Sequence, residues 1–571
     1  MAAYLFSKNV QCNDCYKCLH ECMVKAIAIR DREATILEDR CVLCGHCTRV
    51  CPQNAKVVVS EIDRIKVLLH SGKKVIASVA PSFVSSFGIS NFSVLKLALA
   101  RLGFADAEET AVGAEAVTRK YRELLESGTY DNFITSACPA ACQLIQKYYP
   151  KALKYLAKVD SPMIAHAKML REQTPGAKVV FIGPCIAKKK EAAESGLVSG
   201  VLTFPELQEM FDEQGIVLSD IMDVQLEPEK THANFSKNYP VSRGIINSFV
   251  QRPQGYAYLA IDGINRCIRA LDNIEHLDHV FLEMNVCKDG CIGGPCIIKK
   301  DGGTIRSACE VWNYVDEEKR KYPVQADAGK TRVILDAEYP RLRTMGRPAS
   351  NREIEEVLHR IGKYKPEDER NCGSCGYSTC REKAWAVING YADIDVCLPY
   401  MRQRAETMSY EIIHNSPEGI VVLNNDLRIL EINNKALELL GIESTDFKGC
   451  MAADFFDPAH FTHALKQGAS VFETEMYIPN TDKYVHLTIS KIPDQHVLFG
   501  IMKDVTGIVN YNQQLDAVRQ NTIRTADEVI TKQMRVAQEI ASLLGETTAE
   551  TKVALVNLKK ILEDDKKEKE E

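Results

Sequence analysis

Three apolar runs that each lead to a cysteine constrain this chain more than any other feature. Tyr130-Asp-Asn-Phe-Ile-Thr-Ser-Ala-Cys138 and Val179-Val-Phe-Ile-Gly-Pro-Cys185 read as strands with a thiol at the carboxyl end. Val280-Phe-Leu-Glu-Met284 reads as a buried strand and leads into Cys287-Lys-Asp-Gly-Cys291-Ile-Gly-Gly-Pro-Cys296. In a parallel α/β sheet, ligand sites lie beyond the carboxyl ends of the strands. Cys138, Cys185, Cys287 and Cys291 can therefore converge on one metal cluster. The glycines of the last loop let the backbone approach a bulky inorganic group closely.

Composition sets the frame for that site. A chain of 571 residues is long enough for about four domains. Its net charge of −6 argues against a general nucleic-acid role. The start, Met1-Ala-Ala-Tyr-Leu-Phe-Ser-Lys8, lacks a basic stretch followed by an apolar one, so no secretory signal is expected. No run of about 18 apolar residues suggests a membrane span. Many of the 21 cysteines sit in short, tight spacings, which without a secretion signal points to metal ligation and not disulfides, and to a reducing cytoplasm as the expected setting.

Residues 1–62 carry two copies of one pattern. Cys12, Cys15, Cys18 and Cys22 follow C-x2-C-x2-C-x3-C, and Cys41, Cys44, Cys47 and Cys51 repeat it. This resembles the bacterial ferredoxin repeat, in which the fourth cysteine of each run ligates the other cluster. The resemblance implies one [4Fe-4S] cluster on Cys12, Cys15, Cys18 and Cys51, and a second on Cys41, Cys44, Cys47 and Cys22. Met23 stands where the first run would ordinarily have proline. A zinc module is the alternative.

Residues 63–348 alternate strand-like and helix-like stretches, the pattern of an α/β fold with largely parallel sheets, long enough for two lobes. Lys74-Val-Ile-Ala-Ser-Val-Ala-Pro-Ser82 reads as a strand entering a loop, and 92–102 and 116–125 have helical spacing. Residues 349–405 form a smaller module. A helix over 352–361 precedes Cys372-Gly-Ser-Cys375-Gly-Tyr-Ser-Thr-Cys380 and, later, Cys397. The stretch resembles the small four-cysteine iron–sulfur domain attached to several redox proteins, with structural zinc as the alternative.

Residues 406–510 read as strand, polar turn at Asn424-Asn-Asp426, strand, helix at 435–441, then strands near 472–477, 484–489 and 496–502. This resembles a PAS domain. No residue marks a ligand for it, and no haem motif is present. In 511–571, Leu515, Val518, Ile523, Ala526, Ile530, Ala537, Ile540 and Leu544 recur near helical spacing. Gly545-Glu-Thr-Thr548 interrupts, with Thr548 as N-cap of a second helix over 553–562 and a charged, frayed tail from Asp564. Such helices need a partner face: a coiled-coil homodimer, an output partner, or the PAS domain itself.

The three central motifs are Thr135-Ser-Ala-Cys138-Pro, Gly183-Pro-Cys185-Ile-Ala-Lys-Lys189 and Glu283-Met-Asn-Val-Cys287-Lys-Asp-Gly-Cys291-Ile-Gly-Gly294. They resemble the signatures of [FeFe]-hydrogenases, and the appended modules resemble the sensory branch of that family. The resemblance implies an H-cluster. Cys138, Cys185, Cys287 and Cys291 would hold its [4Fe-4S] part, and Cys291 would bridge to a diiron unit carrying CO, cyanide and an azadithiolate. Lys188, three residues after Cys185, would meet one cyanide, and Pro81 and Ser82 would lie near the other. The alternative for Lys188 is a surface lysine in the basic run Lys188-Lys-Lys190.

The chain departs from the catalytic pattern at three positions. Ala137 stands where catalytic members have a proton-relaying cysteine, and alanine cannot donate, accept or titrate. Gly183 and Asn285 replace two methionines. Gly183 is expected to open space, and Asn285 to offer an amide to a cluster ligand. Slow turnover with a retained cluster is the expectation. Glu115 and Glu123 receive no proton-path role, and Cys142, Cys267, Cys296 and Cys309 read as free buried thiols.

Three functions follow as expectations. The first is a sensor that reads H2 or redox poise and signals through the PAS domain and terminal helices to a phosphatase or kinase. The second is a hydrogenase with another proton path. The third is a non-enzymatic iron–sulfur assembly or scaffold protein. A redox partner such as ferredoxin and the hydrogenase maturation enzymes are the other partners the resemblance implies.

Overall fold

The computed structural model describes the chain apart from residues 1–3, 9–11, 14, 31–32, 223–234, 322–330, 345, 444–446, 468–470, 493–496, 545–548 and 568–571. It divides into two units, Met1–Met401 and Arg402–Glu571.

In the first unit, the doubled cysteine pattern folds as a doubled structure. Leu5–Ser7 pairs antiparallel with Lys56–Val58, and Ile27–Arg30 with Glu33–Ile36. Each cysteine run contributes one short helix, Lys17–Glu21 or His46–Val50, entered from a left-handed residue, Tyr16 or Gly45.

Two parallel sheets follow. The first orders Asp106–Glu109, Val75–Val79, Lys178–Gly183 and Gly200–Thr203. The second orders Ala257–Asp262, Val280–Asn285 and Phe133–Ile134. Every residue of Val75–Val79 and of Val280–Asn285 is buried, as strands covered on both faces require.

The strand expected from Tyr130 contributes only Phe133–Ile134 to the ladder. Side chains take over at its two ends. Asn132 Nδ2 donates to Leu277 O at 2.7 Å, and Asn132 Oδ1 accepts from Val280 N at 3.1 Å. Thr135 Oγ1 accepts from Met284 N at 3.1 Å.

The helix expected over 116–125 runs from Ala111 to Glu126. Gly113 masks its first turn in the sequence because glycine is a poor helix former. The glycine is needed for packing: a Cβ there would meet Pro162 O at 2.4 Å and His166 Cβ at 2.6 Å.

The small module starts with helix Asn351–Arg360, whose N-terminus is closed by a reciprocal Ser350–Glu353 capping box. Helix Cys380–Ile388 follows, capped by Thr379. The module packs on the ferredoxin-like part. Arg30 Nη2 donates to Gly390 O at 2.7 Å, and the Arg40 guanidinium lies 4.7 Å from the Tyr391 ring centroid. Val396 is buried with Cys18, Leu19 and Ile27.

The second unit holds a five-stranded antiparallel sheet in the order Ile429–Ile432, Gly419–Asn424, Val497–Asp504, Lys483–Ile492, Val471–Ile478. Its first turn is held by Asn424 Oδ1, which accepts from Asp426 N at 3.0 Å and Arg428 N at 2.8 Å. Helices Asn434–Leu440 and Ala459–Gln467 contribute to a core that includes Leu439 and Phe461.

Beyond the sheet run helices Thr506–Leu544 and Ala549–Lys567. Lys559 Nζ lies 3.3 Å from Asp527 Oδ1, so the second helix returns beside the first. The interruption at Gly545 to Thr548, with its Thr548 cap, lies outside the described residues. So do the last four residues of the tail, while 564–567 are helical.

Candidate metal-cluster site

The four strand-end cysteines come to one place. Cys138, Cys185, Cys287 and Cys291 line a single cavity of about 100 Å³ that is partly open to solvent. Cys138 sits at the N-cap of helix Pro139–Tyr148, where Pro139 is preorganised for the first turn. Cys185 follows strand Lys178–Gly183, and Cys287 and Cys291 follow strand Val280–Asn285.

Burial pushes the Cys185 thiol up to about 11 and the Cys291 thiol up to about 12. It raises Cys287 well above the ordinary thiol range, and neighbouring Cys185, Cys138 and Cys291 add to the push. Raised this far, Cys185, Cys287 and Cys291 favour the neutral thiol until a cation joins them. Metal binding there must release protons.

Lys188 is buried and lines the same cavity, so it is not a surface lysine. Its Nζ donates to Ser161 Oγ at 2.8 Å and to Glu191 Oε2 at 2.7 Å. Pro81 and Ser82 form part of the wall. Ser82 Oγ is fully buried and has no hydrogen-bond partner among the described residues. An orphaned hydroxyl facing a cavity suits an acceptor on a bound group. Asn285 also lines the cavity, and its Nδ2 donates to Glu283 Oε1 at 3.4 Å. Ala137 presents only a methyl group to the wall.

Gly183 corrects one expectation. It does not open the cavity, because a Cβ there would meet the Phe181 ring at 2.8 Å and Ala80 Cβ at 3.0 Å. The Phe181 ring, two residues back on the strand, occupies the freed space and lines the cavity. Cys309 corrects another: it is exposed, on the outer side of helix Gly303–Lys321. Cys142, Cys267 and Cys296 are buried, and the first two donate to Ser136 O and Asn285 O.

The ferredoxin-like cysteines sort into two groups. Burial raises Cys18, and the nearby thiols acting on it are Cys51, Cys12 and Cys15. Burial likewise raises Cys47, and Cys44, Cys41, Cys22 and Cys18 add to it. Ala26 N donates to Cys22 Sγ and Ala55 N to Cys51 Sγ, each at 3.3 Å, the same contact in both copies. Cys18, Cys22, Cys41, Cys44 and Cys47 line one cavity, and Cys44 also lines the central one.

Cys372, Cys375, Cys380 and Cys397 line a further cavity. Its wall includes Lys383, which sequence reasoning missed. The signal was a shared spacing: Cys185-Ile-Ala-Lys188 and Cys380-Arg-Glu-Lys383 both set a lysine one helical turn after a cysteine.

Four family profiles match parts of the chain. Residues 11–55 match a 4Fe-4S dicluster domain, and 73–295 match the iron-only hydrogenase large subunit, C-terminal domain. Residues 368–399 match a putative Fe-S cluster domain, and 417–507 a PAS domain. The chain is a PAS-containing [FeFe]-hydrogenase-like protein.

This hydrogenase-like chain is 24% identical over 372 residues to iron hydrogenase 1 of Clostridium pasteurianum. The match takes in 46% of this chain and 65% of that protein, so it spans less than two thirds of its relative. Among solved structures, a variant of the [FeFe]-hydrogenase from Chlamydomonas reinhardtii aligns at 18% identity, with a TM-score of 0.36. That alignment covers 50% of this chain and 99% of the other. The PAS domain of an HTR-like protein from Haloarcula marismortui aligns at 19% identity and a TM-score of 0.16, over 18% of this chain and 98% of its own. No helix among the described residues is long and apolar enough to cross a membrane.

Proposed function

We propose that this protein is a sensory hydrogenase that binds H2 or turns it over slowly and passes the result to a signalling partner. One observation carries the reading: four thiols, the Lys188 ammonium and the orphaned Ser82 hydroxyl line one apolar cavity. Thiolates suit iron–sulfur clusters. The cation and the free hydroxyl suit the anionic, acceptor ligands of a diiron unit. When bound, that group supplies the site at which H2 and two protons plus two electrons interconvert. Ala137 offers no group to take up or give a proton beside it.

The chain's own residues supply a row of electron sites. Cys44 lines both the central cavity and that of the second ferredoxin-type quartet. Cys18 of the first quartet lines the latter cavity too. Val396, next to Cys397, shares a buried cluster with Cys18. This supports the order diiron site, second quartet, first quartet, four-cysteine module.

A soluble redox protein such as ferredoxin is the expected electron partner, maturation enzymes the source of the diiron unit, and the reducing cytoplasm the setting. The terminal helices are the proposed homodimer and output surface, toward a phosphatase or kinase. Infrared spectra of matured protein under H2 and then under inert gas test the reading. CO and cyanide bands that shift between the gases are expected. Their absence after full maturation would overturn it in favour of a scaffold.

A second reading, efficient catalysis by another proton route, is favoured by one chain of hydrogen bonds. Thr110 lines the cavity, and its Oγ1 is 2.8 Å from Ser78 Oγ. Ser78 Oγ is 2.8 Å from His166 Nδ1, and His166 Nε2 is 3.3 Å from Glu108 Oε2, which reaches solvent. High turnover that falls in His166→Phe while the infrared bands persist would establish this reading over the first.

A further inference from the structure

The four-cysteine pocket contains a buried lysine that makes no hydrogen bond among the described residues. Lys383 lies on helix Cys380–Ile388, one turn after Cys380, and is 2% exposed. It lines the cavity of Cys372, Cys375, Cys380 and Cys397, and its Nζ has no hydrogen-bond partner among the described residues. Lys363, the other lysine in that wall, is already satisfied: its Nζ donates to Asp368 O at 2.5 Å. Burial disfavours the charge on Lys383. The groups that favour it are Cys375 and Cys397 first, then Asp393 and Asp395.

A buried ammonium without a counter-ion is strongly unfavourable. Asp393 and Asp395 act on it only at a distance, and an anion in the cavity it lines would supply the direct contact it lacks. A [4Fe-4S] cluster on four thiolates carries net negative charge, and gains one more on reduction. A neighbouring cation therefore stabilises the reduced form more than the oxidised one.

We propose that Lys383 is the counter-charge of this cluster and raises its reduction potential, so that electrons arriving from the ferredoxin-type clusters collect there. The step is the gain of one electron, with no bond made or broken. The inference rests on the reading of these four cysteines as iron–sulfur ligands, and the experiment separates the two.

The test is a redox titration of the full, iron-loaded chain followed by electron paramagnetic resonance. The signal of this cluster is identified by its loss in Cys380→Ser. Lys383→Met, similar in size but neutral, is expected to lower the reduced-to-oxidised ratio at a fixed potential about tenfold, equal to about 59 mV for one electron. Lys383→Arg is expected to keep the ratio near wild type. Loss of the cluster in Lys383→Met but not in Lys383→Arg would support the counter-charge role as well. An unchanged potential in Lys383→Met, or equal loss of the cluster in both variants, would overturn it. If Cys380→Ser removes neither signal nor iron, the ligand reading itself fails.

Discussion

Lys188 Nζ and Glu191 Oε2 lie 2.7 Å apart, three residues from each other on one helix, with the lysine also in the cavity wall. The carboxylate holds the ammonium in place beside the thiols. It also partly neutralises that buried charge.

Lys188→Met removes the cation and leaves Glu191 without it. Breaking a buried pair costs about 3–5 kcal/mol, and the partial exposure of this one brings the expected loss to about 1–3 kcal/mol. Thermal unfolding of the unloaded chain checks that value. In the matured protein, the infrared bands of the diiron unit should disappear while iron–sulfur absorbance stays. Glu191→Gln should keep the bands.

Ala137→Cys restores a titratable thiol at the cavity wall. If the alanine limits turnover, H2 production with an artificial donor should rise several-fold or more, within the roughly 10²–10⁴-fold range of a positioned acid or base. An unchanged rate would mean that protons already have a route, and Thr110–Ser78–His166–Glu108 is the one to mutate next.

Much of this site was legible because cysteine spacing and strand ends are local signals. Each ferredoxin-type run lies within eleven residues, each apolar run at the centre leads to its own cysteine, and Cys372, Cys375 and Cys380 lie within nine, with Cys397 seventeen further on. What stayed hidden depends on partners distant in sequence. Nothing in the run Lys188-Lys-Lys190 marks its second lysine as buried. Yet Lys189 is fully buried because Glu206 reaches it at 2.8 Å. The void left by Gly183 is filled by Phe181, a matter of side-chain direction that composition cannot report. The short Phe133–Ile134 strand likewise depends on where the side chains of Asn132 and Thr135 find their bonds.

Gly45 joins two of the modules. Its φ is +70°, and a Cβ there would meet Pro295 Cβ and Cγ at 2.5 Å, just past the Cys287–Cys291 loop. Gly45→Ala meets left-handed strain of about 1–2 kcal/mol and overpacking of about 1–3 kcal/mol. A destabilisation of about 2–4 kcal/mol in urea unfolding is expected. Slower reduction of the central site from the ferredoxin-type clusters should accompany it in stopped-flow spectra.

The terminal helices keep apolar side chains in solvent. Ile523, Ala526, Ile530 and Ala537 are half-buried along one stripe of the Thr506–Leu544 helix. Val518, Val529, Val536 and Ile540 remain exposed, at spacings of a second helical stripe. If that stripe pairs with a second copy, Val529→Glu together with Val536→Glu should convert a dimer to a monomer in light scattering. Helicity in the far ultraviolet should fall only slightly. A wild-type monomer at micromolar concentration would exclude the homodimer.

Glu283 supplies a pH signature. It is fully buried on strand Val280–Asn285, and burial pushes its carboxyl up to about 7, against a backbone hydrogen bond from Ile246 that favours the charged form. With the folded pKa above the ordinary 4.5, the folded state holds more protons than the unfolded one between those values. Stability from this group is therefore full below about pH 4.5 and is lost as pH rises through about 7. The expected total is about 3 kcal/mol, at 1.36 kcal/mol for each pH unit of displacement. Glu283→Gln keeps an oxygen for Ile246 N and cannot ionise, so its stability should be flatter from pH 5 to 8 in urea titrations of the unloaded chain. A wild-type curve that rises over that interval, or a variant curve parallel to it, would show that Glu283 is ionised inside the fold. Its charge also adds to the upward push on the Cys291 thiol, so a neutral Glu283 is the form that eases thiolate formation at the proposed bridge.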